Sequence, residues 1–401
     1  MNSIISRENR HILFVTLGYP SEYKPLYPFL EALVKSIRDL GVQCTVINPV
    51  SAVHALIRHE KLPPVIRKTY SDEGNVILVR CPRYMTCSTG RFLRHFRNTF
   101  NLRSFMWAIR HSIKKNHIEF NTVYGHFVSP SGIVASTLGK EMNITACFAY
   151  GESSPYLVDE FGVEKTREML KNINCTISVS SENTKYLREN KIVRSETIGT
   201  FINGVNRSIF YPRNRVEMRK KYNIPLDAFV VAHLGSFNFI KGATRLSEAL
   251  DMLGNVHSIF MGSGEMKPTC SNIDYIGSVP HDQTPELLSA ADIFVLATNA
   301  EGCCNAILEA LACGLPVVSS DRSFNDDTLK ENYSIRVDTM NPAAIADAIA
   351  TLRDGPELRL KMSKEALKAS ENFDIHRRAE NILRWIEQCE ERNENDTHFS
   401  K

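Results

Sequence analysis

Residues 293–319 read IFVLATNAEGCCNAILEALACGLPVVS, and few folds accommodate that order. The apolar run 293–297 has the length and composition of a buried strand, and 316–319 reads as a second one. Between them the apolar stretch from Asn305 to Cys313 reads as a helix. Gly314 supplies a left-handed residue past its last turn, and Pro316 cannot continue it. A strand, a helix and a strand in this order form a βαβ unit, whose strands are parallel and whose sheet is covered by helices on both faces. One residue breaks the pattern. Glu309 is the only charged side chain between Ala306 and Cys313. Desolvating an unpaired carboxylate costs several kcal/mol or more, so Glu309 has either a dedicated protein partner or a ligand.

The surroundings favour a ligand. In open α/β sheets ligands bind at the carboxyl ends of the strands, and the loop 298–304 lies at that end. It carries a second carboxylate, Glu301, and leads into a helix start at Asn305 and Ala306 whose free N–H groups suit a phosphate. Two carboxylates eight residues apart with an anion seat between them match a sugar nucleotide. Carboxylates accept from sugar hydroxyls while amides hold the diphosphate. The bland alternative is a structural ion pair at Glu309.

The same alternation recurs along the chain. Residues 11–16 read as a strand, 27–40 as a helix and 42–47 as a strand; further segments at 76–79, 102–115, 122–124, 130–140, 145–148, 175–179 and 182–190 continue the series. A second series starts at 229–234 and runs through 245–253, 258–261, 285–290, the 293–319 unit, 334–337 and 342–353. The expectation is an α/β fold of two doubly wound parallel-sheet domains facing a central cleft. The domains are residues 1–200 and 201–374, with 202–215 as the linker. Residues 375–401 form a last amphipathic helix packing back on the first domain, with a polar tail frayed from Glu390. The 401 residues suffice for two cores. A net charge of +3 argues against a general nucleic-acid binder. The polar start leads directly into a strand, and no run approaches the ~18 apolar residues of a membrane span. Ten cysteines without zinc or CxxC spacing fit reduced thiols in the cytoplasm. The Cys303-Cys304 pair reads as small residues beside a phosphate rather than as a nucleophile.

Two glycine loops follow strands of the second series. Gly235 to Gly242 reads GSFNFIKG, where Lys241 can place a compact charge on a diphosphate. Gly262 to Glu265 reads GSGE, either a seat for a nucleotide base or a plain turn.

With these pieces in register the chain resembles the retaining glycosyltransferases of the GT-B fold, the large fourth sequence family that uses nucleotide-sugar donors. The matching elements are INGVNRSIFYP at 202–212, G-x5-K-G at 235–242, GSGE at 262–265, YIGSVP at 275–280, AADIFVLAT at 290–298 and E-x7-E from Glu301 to Glu309. The similarity covers nearly the whole chain and implies two Rossmann-like domains. It implies that Glu309 holds the ribose hydroxyls, that Glu301 lies against the donor sugar, and that Asn305, Ala306 and Lys241 take the diphosphate, with Gly235 and Gly264 lining the donor site. In the first domain YGHFVSPSG at 124–132 matches the family's strand-end histidine, so His126 would face the donor sugar, and Gly18 is a further phosphate contact. The chain departs from the pattern at Tyr150, where a histidine is frequent, at Ser236, where an arginine is common, and at Asn206, where aspartate is usual.

The resemblance implies a transferase moving a sugar from a nucleotide-sugar, UDP-linked, to a glycan or lipid-linked acceptor in envelope polysaccharide synthesis. No DxD pattern suggests a metal, and Lys241 with the helix start can meet the leaving charge, so neither metal nor other cofactor is expected. From Arg91 to Lys115 seven basic residues and no acidic one are interleaved with aromatic side chains, which suits the inner face of a membrane; the alternative is an ordinary helix packed on its apolar side. Two rival functions stand beside this one. An epimerase on the same fold would need an acid–base constellation not found in the sequence, and a silent nucleotide-sugar-binding subunit would account for Ser236 and Tyr150.

Overall fold

The computed structural model describes residues 5–24, 26–87, 94–155, 158 and 161–399. The chain divides into two compact units: Met1–Phe201 together with His376–Lys401, and Ile202–Ile375. Each is a sheet between helices.

The first unit's sheet has eight strands: β1 (His11–Val15), β2 (Gln43–Ile47), β3 (Ile66–Tyr70), β4 (Val76–Arg80), β5 (Thr122–His126), β6 (Thr145–Tyr150), β7 (Cys175–Ser178) and β8 (Ile198–Thr200). Their spatial order is β8-β7-β6-β5-β1-β2-β4-β3, all parallel except β3, which runs antiparallel to β4 at the edge. The second unit's sheet is wholly parallel: β9 (Val230–Leu234), β10 (His257–Met261), β11 (Ile273–Gly277), β12 (Ile293–Leu296), β13 (Val317–Ser320) and β14 (Ser334–Val337), in the order β11-β10-β9-β12-β13-β14. In both sheets the strand order reverses at the centre, between β1 and β5 and between β9 and β12. These are the switch points at which loops leave on opposite sides and open a crevice. Alternation along β12 shows both faces covered: Phe294 and Leu296 enter one apolar cluster and Ile293 and Val295 the other.

Several elements differ from the sequence reading. At the end of the linker Asn214 caps a short helix that the sequence reading did not include, Arg215–Lys221, by accepting from the N–H groups of Val216 and Glu217. The helix expected at 130–140 begins only at Ile133, after a turn over Val128–Gly132. A further helix, Pro356–Ser370, follows Pro342–Asp354. The basic-aromatic segment forms the helix Arg94–Lys115, and its residues 91–93 lie outside the described ones. That helix buries Phe105, Met106, Ala108 and Ile109 in the core and leaves Phe100 exposed and Trp107 62% exposed, stacked on His111.

The largest correction is at the end of the chain. The polar tail is not frayed from Glu390: the helix Ile375–Phe399 runs through it. Glu390 is buried and meets the fully buried Arg10 in a two-pronged bridge, Oε1 to Nη1 at 2.8 Å and Oε2 to Nη2 at 2.7 Å. Thr145 also donates to Glu390 (2.8 Å), and Arg10 donates to Thr122 (3.1 Å) and to the carbonyl of Ile5 (3.1 Å). The bridge ties the last helix to the start of β1, β5 and β6. In the second unit Arg219 plays a similar part, donating to Asp292 (2.8 Å) and to the carbonyls of Ala290, Leu226 and Ala228.

Removing one partner of such a buried pair strands the other charge. Glu390→Ala is expected to cost about 3–5 kcal/mol in denaturant unfolding. Disrupting the half-exposed Arg110–Glu141 pair by Arg110→Ala is expected to cost at most about 1 kcal/mol. Equal losses would overturn the assignment of Glu390 as a structural anchor.

Candidate functional site

At the second sheet's switch point the loops after β9 and β12 are bound to each other. Asn299 N–H donates to the Ile240 carbonyl (3.0 Å). The buried Arg245, from the helix Ala243–Leu253, has carbonyl acceptors on three strand-end loops: Phe239 (2.9 Å), Ala297 (2.5 Å) and Thr339 (2.9 Å). Those three carbonyls satisfy a guanidinium that burial would otherwise penalise. The frame holds Lys241, whose Nζ is ion-paired with Oε1 of Glu301; the same oxygen accepts from Thr298 (2.9 Å). Burial acts against the Lys241 ammonium, but its coulombic interactions with Cys304 and Glu301 and the Glu301 hydrogen bond outweigh it, so its pKa lies above the usual lysine value. Burial pushes the Cys304 thiol far up, so near neutral pH it is protonated and the pull comes from Glu301. A buried, protonated thiol is not a poised nucleophile.

The glycines of GSGE serve the loops themselves. A side chain on Gly264 (φ +151°) would lie 2.3 Å from the Phe237 carbonyl oxygen, and one on Gly262 (φ +157°) would lie 1.9 Å from that of Gly235. Phe237 N–H donates to Ser263 (2.8 Å), and Met266 N–H to Phe237 (3.0 Å). The two glycine loops thus form one layer at the ends of β9 and β10. Gly235 within it donates to Met261 (2.9 Å) and packs against the Lys241 stem.

The helix Asn305–Ala312 starts after Cys304 without a side-chain cap, and its first backbone bond runs from Leu308 to Cys304 (3.4 Å). The amides of Asn305 and Ala306 precede that bond and point out of the helix start. The Asn305 Oδ1 is buried without a hydrogen-bond partner among the described residues. One turn in, the buried Glu309 does have a protein partner: Oε1 lies 3.0 Å from Nε2 of His281. His281 comes from the turn between β11 and the helix Thr284–Ala290, and its ring packs on Phe210 with centroids 5.0 Å apart. The sequence reading missed His281. Its only signal was its place directly after YIGSVP.

In the first unit His126 ends β5 at the switch point. It is buried, and neither ring nitrogen has a partner among the described residues. Its ring lies among Phe127, Phe29 and Tyr27, with centroids 4.3, 5.4 and 5.7 Å away. Burial first, and the Arg378 guanidinium second, push its pKa down to about 3. It is therefore a neutral imidazole, able to donate to or accept from a hydroxyl but not to act as a cation. Gly18 lies after β1 under the Tyr27 ring, and its amide already donates to Thr16 Oγ1 (3.2 Å). The loop after His126 is tied to the loop after β6 by Glu152, which accepts from Val128 N–H (2.7 Å) and Gly151 N–H (3.0 Å). Desolvation raises the Glu152 pKa to about 7 against these hydrogen bonds.

Among the described residues no three His, Cys, Asp or Glu side chains are grouped to hold a metal ion, and no helix is long and apolar enough to cross a membrane.

Residues 214–369 match the family described as glycosyl transferases group 1. A Bacillus subtilis glycosyltransferase assigned to teichuronic acid biosynthesis is 26% identical over 353 residues, covering 84% of this chain and 88% of its own. The N,N'-diacetylbacillosaminyl-diphospho-undecaprenol alpha-1,3-N-acetylgalactosaminyltransferase of Campylobacter jejuni is 22% identical over 383 residues, covering 89% and 93%. The structure of Anabaena HepE in complex with UDP superimposes with a TM-score of 0.69 at 15% identity, covering 94% of this chain and 98% of that one. The fold is thus that of the GT-B glycosyltransferases, with two Rossmann-like domains.

Because the folded protein holds His126 below the ordinary value of 6.5, the unfolded chain takes up this proton first, and His126 removes stability progressively as pH falls from 6.5 towards 3. In NMR of ring-labelled protein its imidazole signals should stay those of the neutral form down to about pH 4.5. A midpoint near 6.5 would contradict the buried, unpartnered placement.

Proposed function

We propose that the protein is a retaining glycosyltransferase that takes a sugar from a nucleotide-sugar donor, UDP-linked, and delivers it to a glycan or lipid-linked acceptor in surface-polysaccharide synthesis. The observation that carries this reading is the Lys241–Glu301 pair at the switch point, followed directly by the uncapped start of the helix that bears Glu309. A protonated lysine, free amides and two carboxylates in this order offer the donor's charged and hydroxylated parts complementary partners. The names of the relatives agree: one is assigned to teichuronic acid synthesis, one is named for a diphospho-undecaprenol acceptor, and HepE holds UDP.

In this reading the amides of Asn305 and Ala306 hold the diphosphate, Glu309 accepts from the ribose, and Glu301 accepts from the sugar while keeping Lys241 charged and in place. The bond between the anomeric carbon and the phosphate oxygen breaks. Negative charge gathers on the leaving nucleoside diphosphate, where Lys241 and the helix start stabilise it without a divalent ion. The acceptor hydroxyl attacks from the face the diphosphate leaves, and its proton passes to a leaving phosphate oxygen. The products are the glycoside of retained configuration and the free nucleoside diphosphate. His126 hydrogen-bonds a sugar hydroxyl as a neutral imidazole. The exposed Phe100 and Trp107 on a basic helix suit work at the cytoplasmic face of a membrane.

A panel of nucleotide sugars scored by thermal shift tests the reading, with UDP-sugars expected to stabilise most. In calorimetry Lys241→Ala and Glu309→Ala should each weaken UDP binding about tenfold to a hundredfold, the size expected for losing a hydrogen bond to a charged group. Unchanged affinity in both would sink the donor-site assignment. His126→Ala should lower turnover and leave UDP affinity within about twofold. Conversion of the donor to an epimer without acceptor would instead favour the epimerase.

A further inference from the structure

Glu309 is read above as the ribose anchor, and this inference rests on that reading. A carboxylate on a helix can rotate about its terminal torsion, which is broad and roughly two-fold, so a selective anchor needs something to fix its plane. The fold supplies that from outside the helix. His281 Nε2 lies 3.0 Å from Oε1 of Glu309. Whether the ring is neutral with its proton on Nε2 or doubly protonated, Nε2–H donates to Oε1. The histidine is itself held. Its ring meets the buried Phe210 at 5.0 Å, and its turn is closed by the amides of Gln283 and Thr284 donating to the Pro280 carbonyl at 2.9 and 3.2 Å. Tyr275 anchors the start of the same turn through its hydroxyl on the Ser278 carbonyl (3.2 Å). Among the described residues Glu309 Oε2 accepts no hydrogen bond. One oxygen is thus fixed by the protein while the other remains to accept from a ligand.

We infer that His281 is a positioning residue for nucleotide recognition: it locks the Glu309 carboxylate so that Oε2 receives a ribose hydroxyl, and it thereby sets the preference for ribo- over deoxyribonucleotide donors. It touches the carboxylate and not the reacting atoms, so its loss should appear in how the protein discriminates between nucleotides. Gln can present an amide N–H near the position of Nε2, whereas Ala and Phe cannot donate.

The test titrates wild type, His281→Ala, His281→Phe, His281→Gln and Glu309→Ala with UDP and 2'-deoxy-UDP, and in parallel with the ADP and GDP pairs, using whichever pair wild type binds. The expected result is a roughly tenfold loss of ribonucleotide affinity in His281→Ala and His281→Phe, with the ribo-to-deoxy ratio collapsing towards that of Glu309→Ala, and recovery of most of the ratio in His281→Gln. If Glu309→Ala collapses the ratio while His281→Ala keeps it, the positioning role is wrong and the ribose reading survives. If Glu309→Ala itself keeps the ratio, or wild type binds no pair, the ribose reading falls and takes this inference with it. Equal losses for ribo and deoxy ligands without rescue by Gln would mark His281 as merely structural.

Discussion

A guanidinium buried without a carboxylate sets the terms for the second unit. Arg245 is held by backbone carbonyls from Phe239, Ala297 and Thr339, one from each of three loops at the carboxyl edge of the sheet. Loops are ordinarily the mobile part of an α/β fold. Here each is fastened to a charge that has nowhere else to go, because withdrawing any one carbonyl would leave part of the buried cation unsatisfied. The Lys241–Glu301 pair sits on two of those loops, so its geometry is set by the frame more than by the flexibility of either side chain. This is the kind of rigidity a site needs if charge is to be met without reorganisation.

The first unit solves the matching problem with apolar means. His126 is packed among aromatic rings, and its loop is stitched to the next by the Glu152 carboxylate accepting two backbone amides. One unit therefore presents a charged, hydrogen-bonded arrangement at its switch point and the other a neutral imidazole in a desolvated surround.

Much of this was legible in the sequence because the signals were local. The parallel units followed from apolar runs such as Ile293 to Leu296 and from Gly314 and Pro316, which act through their own backbone preferences. Glu309 stood out because a lone charge in an apolar helix is costly wherever it is found. What could not be read depended on partners distant along the chain. His281 lies in the polar turn PHDQT and becomes meaningful only when the helix bearing Glu309 is folded beside it. The glycines of GSGE were read as a seat for a nucleotide base or a plain turn, and what the sequence did not disclose is that they admit the backbone of the Gly235–Phe237 loop. The short basic strand Ile66–Tyr70 carries no clean alternation of apolar residues and is defined by its antiparallel partner at the sheet edge. The polar sequence beyond Glu390 reads as a tail because Arg10, its partner, is 380 residues away.

That last pairing has a consequence for the order in which the protein is made. The carboxylate that neutralises Arg10 is synthesised 380 residues after it. At about 5–20 residues per second, the second unit's chain and most of the final helix must follow before it arrives, a delay of roughly ten seconds or more. Throughout that time the first sheet has its strands but not its closing helix, and a guanidinium destined for complete burial remains unpaired. The second unit, contiguous in sequence, carries no such debt and can settle while its neighbour waits. The discontinuous unit becomes the later one to mature, because its closing helix is made only after the whole of the second unit.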